Sequence, residues 1–221
     1  MLVGGVTGLT TLDYPGSLSA VIFFRGCPWR CSYCHNKHLQ VASSSESLLW
    51  EDVLHLLKTR VGFVEAVVFS GGEPLQQAHL PAAIEDVKRL GFRIGLHTSG
   101  AFPERLALVL PLVDWVGFDV KHEFDNYYDV TGVPESGFLA QRSLNMLISS
   151  GVRYEVRMTV CESLDSLSIV NVFKGIAAQG VKTVALQKCR DKDENIVEHP
   201  IFSDRLLLED ISKRFENFSV R

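Results

Sequence analysis

No apolar run in this sequence approaches the roughly 20 residues that a membrane-crossing helix needs. The first residues, Met1 to Gly4, lack the basic start and long apolar stretch of a secretory signal, so the cytosol is the expected compartment. An excess of positive charge is missing as well: 26 acidic residues stand against 22 basic ones, a formal net charge of −4. Bulk electrostatics makes no case for nucleic acid, and neither nucleic acid nor a membrane is expected as a partner. Low-complexity segments and long linkers are absent, and residues 1–221 read as a single domain. Cysteine is scarce and odd in number, five in all, which does not suit a disulfide framework.

Three of those five cysteines are crowded into eight residues. Cys27, Cys31 and Cys34 have the spacing C-x3-C-x2-C on a loop covering residues 25–36. Three thiolates on one short loop can hold three corners of a cubic iron–sulfur cluster, for which soft sulfur ligands are suited. An electron-transfer cluster takes four cysteines. Three leave one iron free for a substrate-like molecule. Zinc is the competing reading, because His35 follows Cys34, but adjacent residues share a tetrahedral ion awkwardly and structural zinc motifs split their ligands into separated pairs. Cys161 and Cys189 stand alone and receive no ligand role.

Hydrophobic residues make up 46% of the chain, enough for a real core. Strand-like runs at 18–24, 65–69, 93–97, 114–120, 153–160 and 183–187 alternate with helix-like runs. The first helix is capped by Ser44 or Ser45 and runs through Leu48, Leu49, Val53, Leu56 and Leu57. The others cover 80–90, 103–110, 137–150, 164–179 and 203–218, and Gly91, Gly151 and Gly180 stop three of them. This pattern predicts an α/β fold with right-handed crossovers, a partial TIM-like barrel of six βα units. A closed eight-unit barrel takes about 250 residues. Reactive groups belong at the carboxyl ends of such strands. There the sequence places the cysteine loop, then Ser70-Gly71-Gly72-Glu73-Pro74, His97-Thr98-Ser99, Asp119-Val120-Lys121, Arg157 and Gln187.

The cysteine spacing, with aromatic Tyr33 before the last cysteine, and Gly71-Gly72-Glu73-Pro74 at the next strand end together resemble the radical S-adenosylmethionine (SAM) enzymes. The likeness spans essentially the whole chain. Within that superfamily, Thr11-Leu12-Asp13-Tyr14-Pro15-Gly16, Phe23-Phe24-Arg25-Gly26-Cys27 and Cys34-His35-Asn36 resemble the glycyl-radical-enzyme activases, above all the short activating proteins of anaerobic ribonucleoside-triphosphate reductase. The resemblance implies a 4Fe–4S cluster on Cys27, Cys31 and Cys34, whose open iron binds SAM. An electron from a flavodoxin- or ferredoxin-type donor then cleaves SAM to a 5′-deoxyadenosyl radical, which generates a glycyl radical on the partner reductase.

It also implies roles for other residues. Gly71 and Gly72 let backbone approach the methionine part of SAM, Glu73 offers a carboxylate to its ammonium group and Pro74 stiffens the turn. Tyr33 lies on the adenine side. His97, Thr98 and Ser99 approach the ribose or sulfonium, although pyruvate formate-lyase activases favour Asp where His97 stands. Asp119 and Lys121 match an Asp-x-Lys strand ending. Lys121 then meets the SAM carboxylate, positions the substrate or forms a rim ion pair. Arg157 binds the same carboxylate, binds the target backbone or is paired structurally. Gln187 is a weaker candidate, His35 and Asn36 fix the loop, and Trp29 packs over the cluster or stays an exposed loop aromatic. A second functional class stays open, a small-molecule enzyme such as the similarly short 7-carboxy-7-deazaguanine synthases. Those show Cys-Asp-Thr where this chain has Cys34-His35-Asn36.

Overall fold

The computed structural model describes residues 1–43, 47–190 and 195–221; Ser44 and Ser45, the expected helix caps, lie outside the described residues. Eight strands form one sheet in chain order, β1 (Val3–Thr10), β2 (Ser19–Phe24), β3 (Ala66–Gly71), β4 (Arg93–Thr98), β5 (Trp115–Asp119), β6 (Arg153–Val160), β7 (Thr183–Lys188) and β8 (Asn217–Val220). β1 is antiparallel to β2, every later pair is parallel, and β8 does not pair with β1, so the barrel is open. The helices are α1 (Trp50–Lys58), α2 (Leu80–Arg89), α3 (Pro103–Val109), α4 (Tyr127–Thr131), α5 (Ser136–Ser149), α6 (Ser166–Ala178) and α7 (Arg205–Ser212). The six expected βα units are β2 to β7 with their crossovers, and Gly91, Gly151 and Gly180 follow α2, α5 and α6 with positive φ. Among the described residues no helix is long and apolar enough to cross a membrane.

Two edge strands, α4 and the start of the first helix escape the sequence pattern: α1 begins at Trp50, after Leu48 bridges to Val3. The last helix was expected over 203–218, but it stops at Ser212 and residues 217–220 pair with β7 instead. Phe215 and Phe218 have helical spacing, which explains the misreading. Both rings instead meet Phe173 of α6, at 5.8 and 6.4 Å between centroids.

The outer face of the sheet is apolar. Ile22, Phe69, Leu96, Phe118 and Met158 join one core with the helices. The concave face has two halves. Its amino-terminal half is filled by Tyr14, from the β1–β2 connection, packed with Val21, Val68 and Trp115. Gly95 makes room for it: a Cβ there would come within 3.0 Å of the Tyr14 ring. Arg153 donates a 2.9 Å hydrogen bond to the Tyr14 hydroxyl, so the buried phenol is satisfied. The carboxyl half, level with Asp119, Arg157 and Thr159, is polar and left for the site.

α5 starts against the loop that follows β5. A Cβ on Gly137 would lie 1.8 Å from the Phe124 carbonyl oxygen, so that backbone must move to admit any side chain. Gly137→Ala is expected to lower stability by about 2–3 kcal/mol, read from urea unfolding of the cluster-free protein.

Candidate active site

The cysteine loop leaves β2 at Phe24 and is held by backbone. The Gly26 and Cys27 N–H groups donate to the carbonyls of Leu39 and Gln40, at 2.7 and 3.2 Å. On the far side Arg30 and Ser32 donate to the carbonyls of Thr131 and Val130, at 2.9 and 3.2 Å. These are carbonyls at the end of α4, which a helix cannot satisfy internally. The short helix missed in the sequence therefore anchors this loop. Trp29 is not an exposed loop aromatic. It is buried and meets Tyr127 of α4 edge-on at 5.7 Å.

All three thiols are free and face a cavity of about 210 Å³ at the carboxyl ends of the strands. Burial, then the Glu73 carboxylate, pushes the Cys27 thiol up to about 12, and burial also raises Cys31. Bare thiolates are costly here, and a bound cationic iron centre offsets that cost. Three soft donors at one cavity, without a fourth cysteine lining it, suit a cluster with one open corner. Among the described residues no three Cys, His, Asp or Glu side chains converge as a single metal ion requires. His35 accepts a 3.3 Å hydrogen bond from the Arg190 N–H.

Gly71 and Gly72 also line the cavity, but their missing side chains first serve the protein itself. A Cβ on Gly71, where φ is +111°, would sit 2.3 Å from the Phe24 nitrogen; one on Gly72 would sit 2.3 Å from the Gly26 carbonyl oxygen. The turn is pressed against the root of the cysteine loop. Pro74 starts a buried turn of 3-10 helix, Pro74–Gln76.

Glu73 is fully buried and lies behind the cavity wall. Its Oε1 accepts from the Leu75 N–H (3.1 Å) and the Thr98 hydroxyl (2.8 Å). Its Oε2 accepts from the Ser99 N–H (2.9 Å) and hydroxyl (2.7 Å). A carboxylate has about four lone-pair positions, and protein donors occupy them all. Burial pushes the Glu73 pKa up, and the same donors pull it back. In this fold the Glu73 carboxylate orients Thr98 and Ser99, which do line the cavity.

On the concave face, the Arg157 Nε donates to Asp119 Oδ1 at 2.9 Å and Nη2 stands 2.8 Å from the same oxygen, while Lys121 Nζ stands 3.8 Å from Oδ2. Burial works against the Asp119 charge, but Arg157 and Lys121 outweigh it and hold the carboxyl below its usual range. Burial likewise opposes the Lys121 charge; Tyr33, Asp119 and Cys31 overcome it and keep the ammonium well above its ordinary value. Lys121 lies over the Tyr33 ring, 5.7 Å from its centroid. Of the alternatives for Arg157, the pairing with Asp119 is present, with the side chain still lining the cavity. Gly117 gives it space: a Cβ there would meet the guanidinium carbon at 2.8 Å.

His97 uses both ring nitrogens. The Asp13 carbonyl can only accept, so Nε2 donates to it (2.9 Å) and Nδ1 accepts from the Ser70 hydroxyl (3.2 Å). Burial, then Arg157, lowers its pKa to about 3. A neutral imidazole thus ties β4 to the Thr11–Gly16 stretch, a partnership invisible in sequence. Ser70, at the strand end read from the sequence, also lines the cavity, as does Thr159, which no motif pointed to. Gln187 lines a second cavity of about 560 Å³, which shares His35, His97, Arg157 and Thr159 with the first.

Glu73→Ala is expected to lower stability by about 3 kcal/mol even without SAM or cluster, because it strands four buried donors. Glu73→Gln, which keeps one acceptor oxygen, should lose less. Urea unfolding of cluster-free protein checks this, and wild-type stability in the alanine variant would restore a pure ligand role. For His97 the unfolded imidazole gains its proton near pH 6.5 and the folded one near 3. Its contribution is therefore complete above pH 6.5 and is lost as the pH falls through that window. About 1.5 kcal/mol should disappear between pH 6.5 and 5, and His97→Asn should flatten this part of the stability–pH profile.

The family model of the radical SAM superfamily matches residues 21–164. A Methanocaldococcus jannaschii protein provisionally named a glycyl-radical enzyme activating enzyme is 31% identical over 200 residues, 87% of this chain and 81% of its own. The pyruvate formate-lyase-activating enzyme of Clostridium pasteurianum is 30% identical over 79% of this chain and 76% of its own. A 7-carboxy-7-deazaguanine synthase of Thermococcus kodakarensis is 30% identical over 49% and 51%. Among solved structures, Streptococcus suis SuiB bound to S-adenosylmethionine shares the fold, with a TM-score of 0.68 at 11% identity over 91% of this chain and 51% of that one. The chain belongs to the radical SAM superfamily, whose cofactors are a 4Fe–4S cluster and S-adenosylmethionine.

Proposed function

We propose that this chain is a glycyl-radical-enzyme activase and that its protein substrate is an anaerobic ribonucleoside-triphosphate reductase. One observation carries the reading. The cavity that holds the three thiols shares four wall residues with a larger one of about 560 Å³, bounded by Thr11–Asp13 on one side and Lys188 and Arg190 on the other. The two cavities run together between these segments and give an extended loop of a partner protein a path to the thiols. The names carried by two of its relatives support the same reading. A flavodoxin- or ferredoxin-type protein is the proposed electron donor.

In this reading Cys27, Cys31 and Cys34 hold the cluster. Backbone at Gly71 and Gly72, in the turn that Pro74 stiffens, receives the methionine end of SAM together with Ser99, which Glu73 orients. Tyr33 lies by the adenine, and Lys121 or Arg157 meets the carboxylate. When bound, the reduced cluster and SAM supply a 5′-deoxyadenosyl radical that takes a hydrogen atom from a glycine of the partner. The protein's own part is placement and exclusion of water. Trp29 and Tyr127 close the floor behind the loop. Asp119 holds Arg157 against the wall, and neutral His97 keeps the rim fixed without adding charge. The synthase relative favours a second reading, a small-molecule reaction of the 7-carboxy-7-deazaguanine type.

Reconstituted protein, reductant and SAM, mixed without oxygen with the reductase, should give a glycyl radical signal by electron paramagnetic resonance. SAM cleavage with no such signal rejects the activase assignment, and turnover of 6-carboxytetrahydropterin selects the second reading. Cys27→Ala, Cys31→Ala and Cys34→Ala should each lose the cluster, measured as bound iron and visible absorbance, and with it all SAM cleavage. Normal cluster content in any one of them removes that residue from the ligand set.

A further inference from the structure

The two remaining cysteines sit outside the reading above, and the fold brings them together. Cys161 directly follows β6 and Cys189 directly follows β7. Val160 and Lys188 are partners in the parallel ladder, and the Cys189 N–H donates to the Val160 carbonyl at 3.1 Å. The cysteines therefore occupy the next rung. Adjacent strands lie about 4.8 Å apart, inside the roughly 4.4–6.8 Å between Cα atoms that a disulfide spans. Residues paired across a ladder share one face of the sheet, and burial together with the neighbouring Cys189 raises the Cys161 thiol. The Cys189 thiol also lies 3.5 Å from the Arg190 carbonyl. Both residues are 5% exposed, and neither is bonded covalently. A lone buried cysteine is an ordinary small apolar residue. Two in register on adjacent strand ends at the mouth of the barrel are spaced as a dithiol.

We propose that Cys161 and Cys189 form a two-electron thiol–disulfide couple, closed by hydrogen peroxide and reopened by a thiol reductant. In the first step the sulfur of one cysteine, losing its proton, attacks the peroxide. The O–O bond breaks, a sulfenic acid forms and one water leaves. In the second step the other sulfur displaces the hydroxyl of the sulfenic acid, the S–S bond forms and a second water leaves. Two electrons pass from the sulfurs to the peroxide oxygens, and both thiol protons end in water. The bond joins residues either side of the α6 crossover. It falls two residues beyond Thr159 and one beyond Lys188, which line the larger cavity. Oxidation therefore stiffens the wall of the cleft beside the cysteine loop.

The test uses reconstituted, cluster-loaded protein treated with hydrogen peroxide, then alkylated and mapped by mass spectrometry. The expected result is a peptide pair joined through Cys161 and Cys189, lighter by two hydrogen masses and separated again by dithiothreitol. In Cys161→Ser that cross-link is lost, and Cys189 is trapped singly by a sulfenic acid reagent. The triple variant Cys27→Ser/Cys31→Ser/Cys34→Ser keeps only this pair of cysteines, so any intramolecular disulfide in it is theirs. Absence of the cross-link from the loaded enzyme, or its formation only with Cys27, Cys31 or Cys34, overturns the proposal. Neither outcome bears on the activase reading, which stands on the radical signal.

Discussion

The site depends on one piece of backbone docking. The Gly72 N–H donates to the Phe24 carbonyl at 2.9 Å, and the Glu73 N–H donates to the Gly26 carbonyl at 2.8 Å. These bonds fasten the turn after β3 to the root of the cysteine loop after β2. The Glu73 carboxylate then reaches Thr98 and Ser99 at the end of β4. Three strand ends are thereby joined through one buried residue. Side chains at positions 71 and 72 would collide with backbone, which cannot swing aside as a side chain can. A partly satisfied buried carboxylate is costly, and a fully satisfied one is rigid.

That rigidity matters because the cavity must hold charge away from water. Asp119 lies between Arg157 and Lys121, so the concave face carries paired charges instead of isolated ones. Paired buried charges add little net stability, but they hold dipoles and cations in set places before any ligand arrives. His97 would add a further charge if it were protonated. Its two hydrogen bonds need the neutral ring, and burial keeps it so. Below this polar half, Tyr14 and Trp115 fill the barrel, which limits the cleft to the carboxyl end of the strands.

Much of this was legible in the sequence, for local reasons. Alternating apolar runs announced the six βα units, because a buried strand and an amphipathic helix each need their own short-range pattern. The cysteine spacing and Gly71-Gly72-Glu73-Pro74 lie within a few residues of the strands that carry them. What stayed hidden depended on distant partners. β1 is rich in glycine, with Gly4, Gly5 and Gly8, and its pairing with β2 makes it a strand. Phe218 has helical spacing and belongs to β8. Trp29 is a loop residue by sequence, yet it is buried because α4 lies against it.

The sequence by itself determined the fold class, the order of the strand–helix units and the three soft donors on one loop, since these follow from patterns a few residues long. Tertiary structure alone decided where each polar group points. Glu73 and Ser99 are 26 residues apart, and His97 and Asp13 are 84 apart. Which carboxylate meets a ligand and which is taken up by the protein is settled only when the strand register brings such donors and acceptors within hydrogen-bond distance.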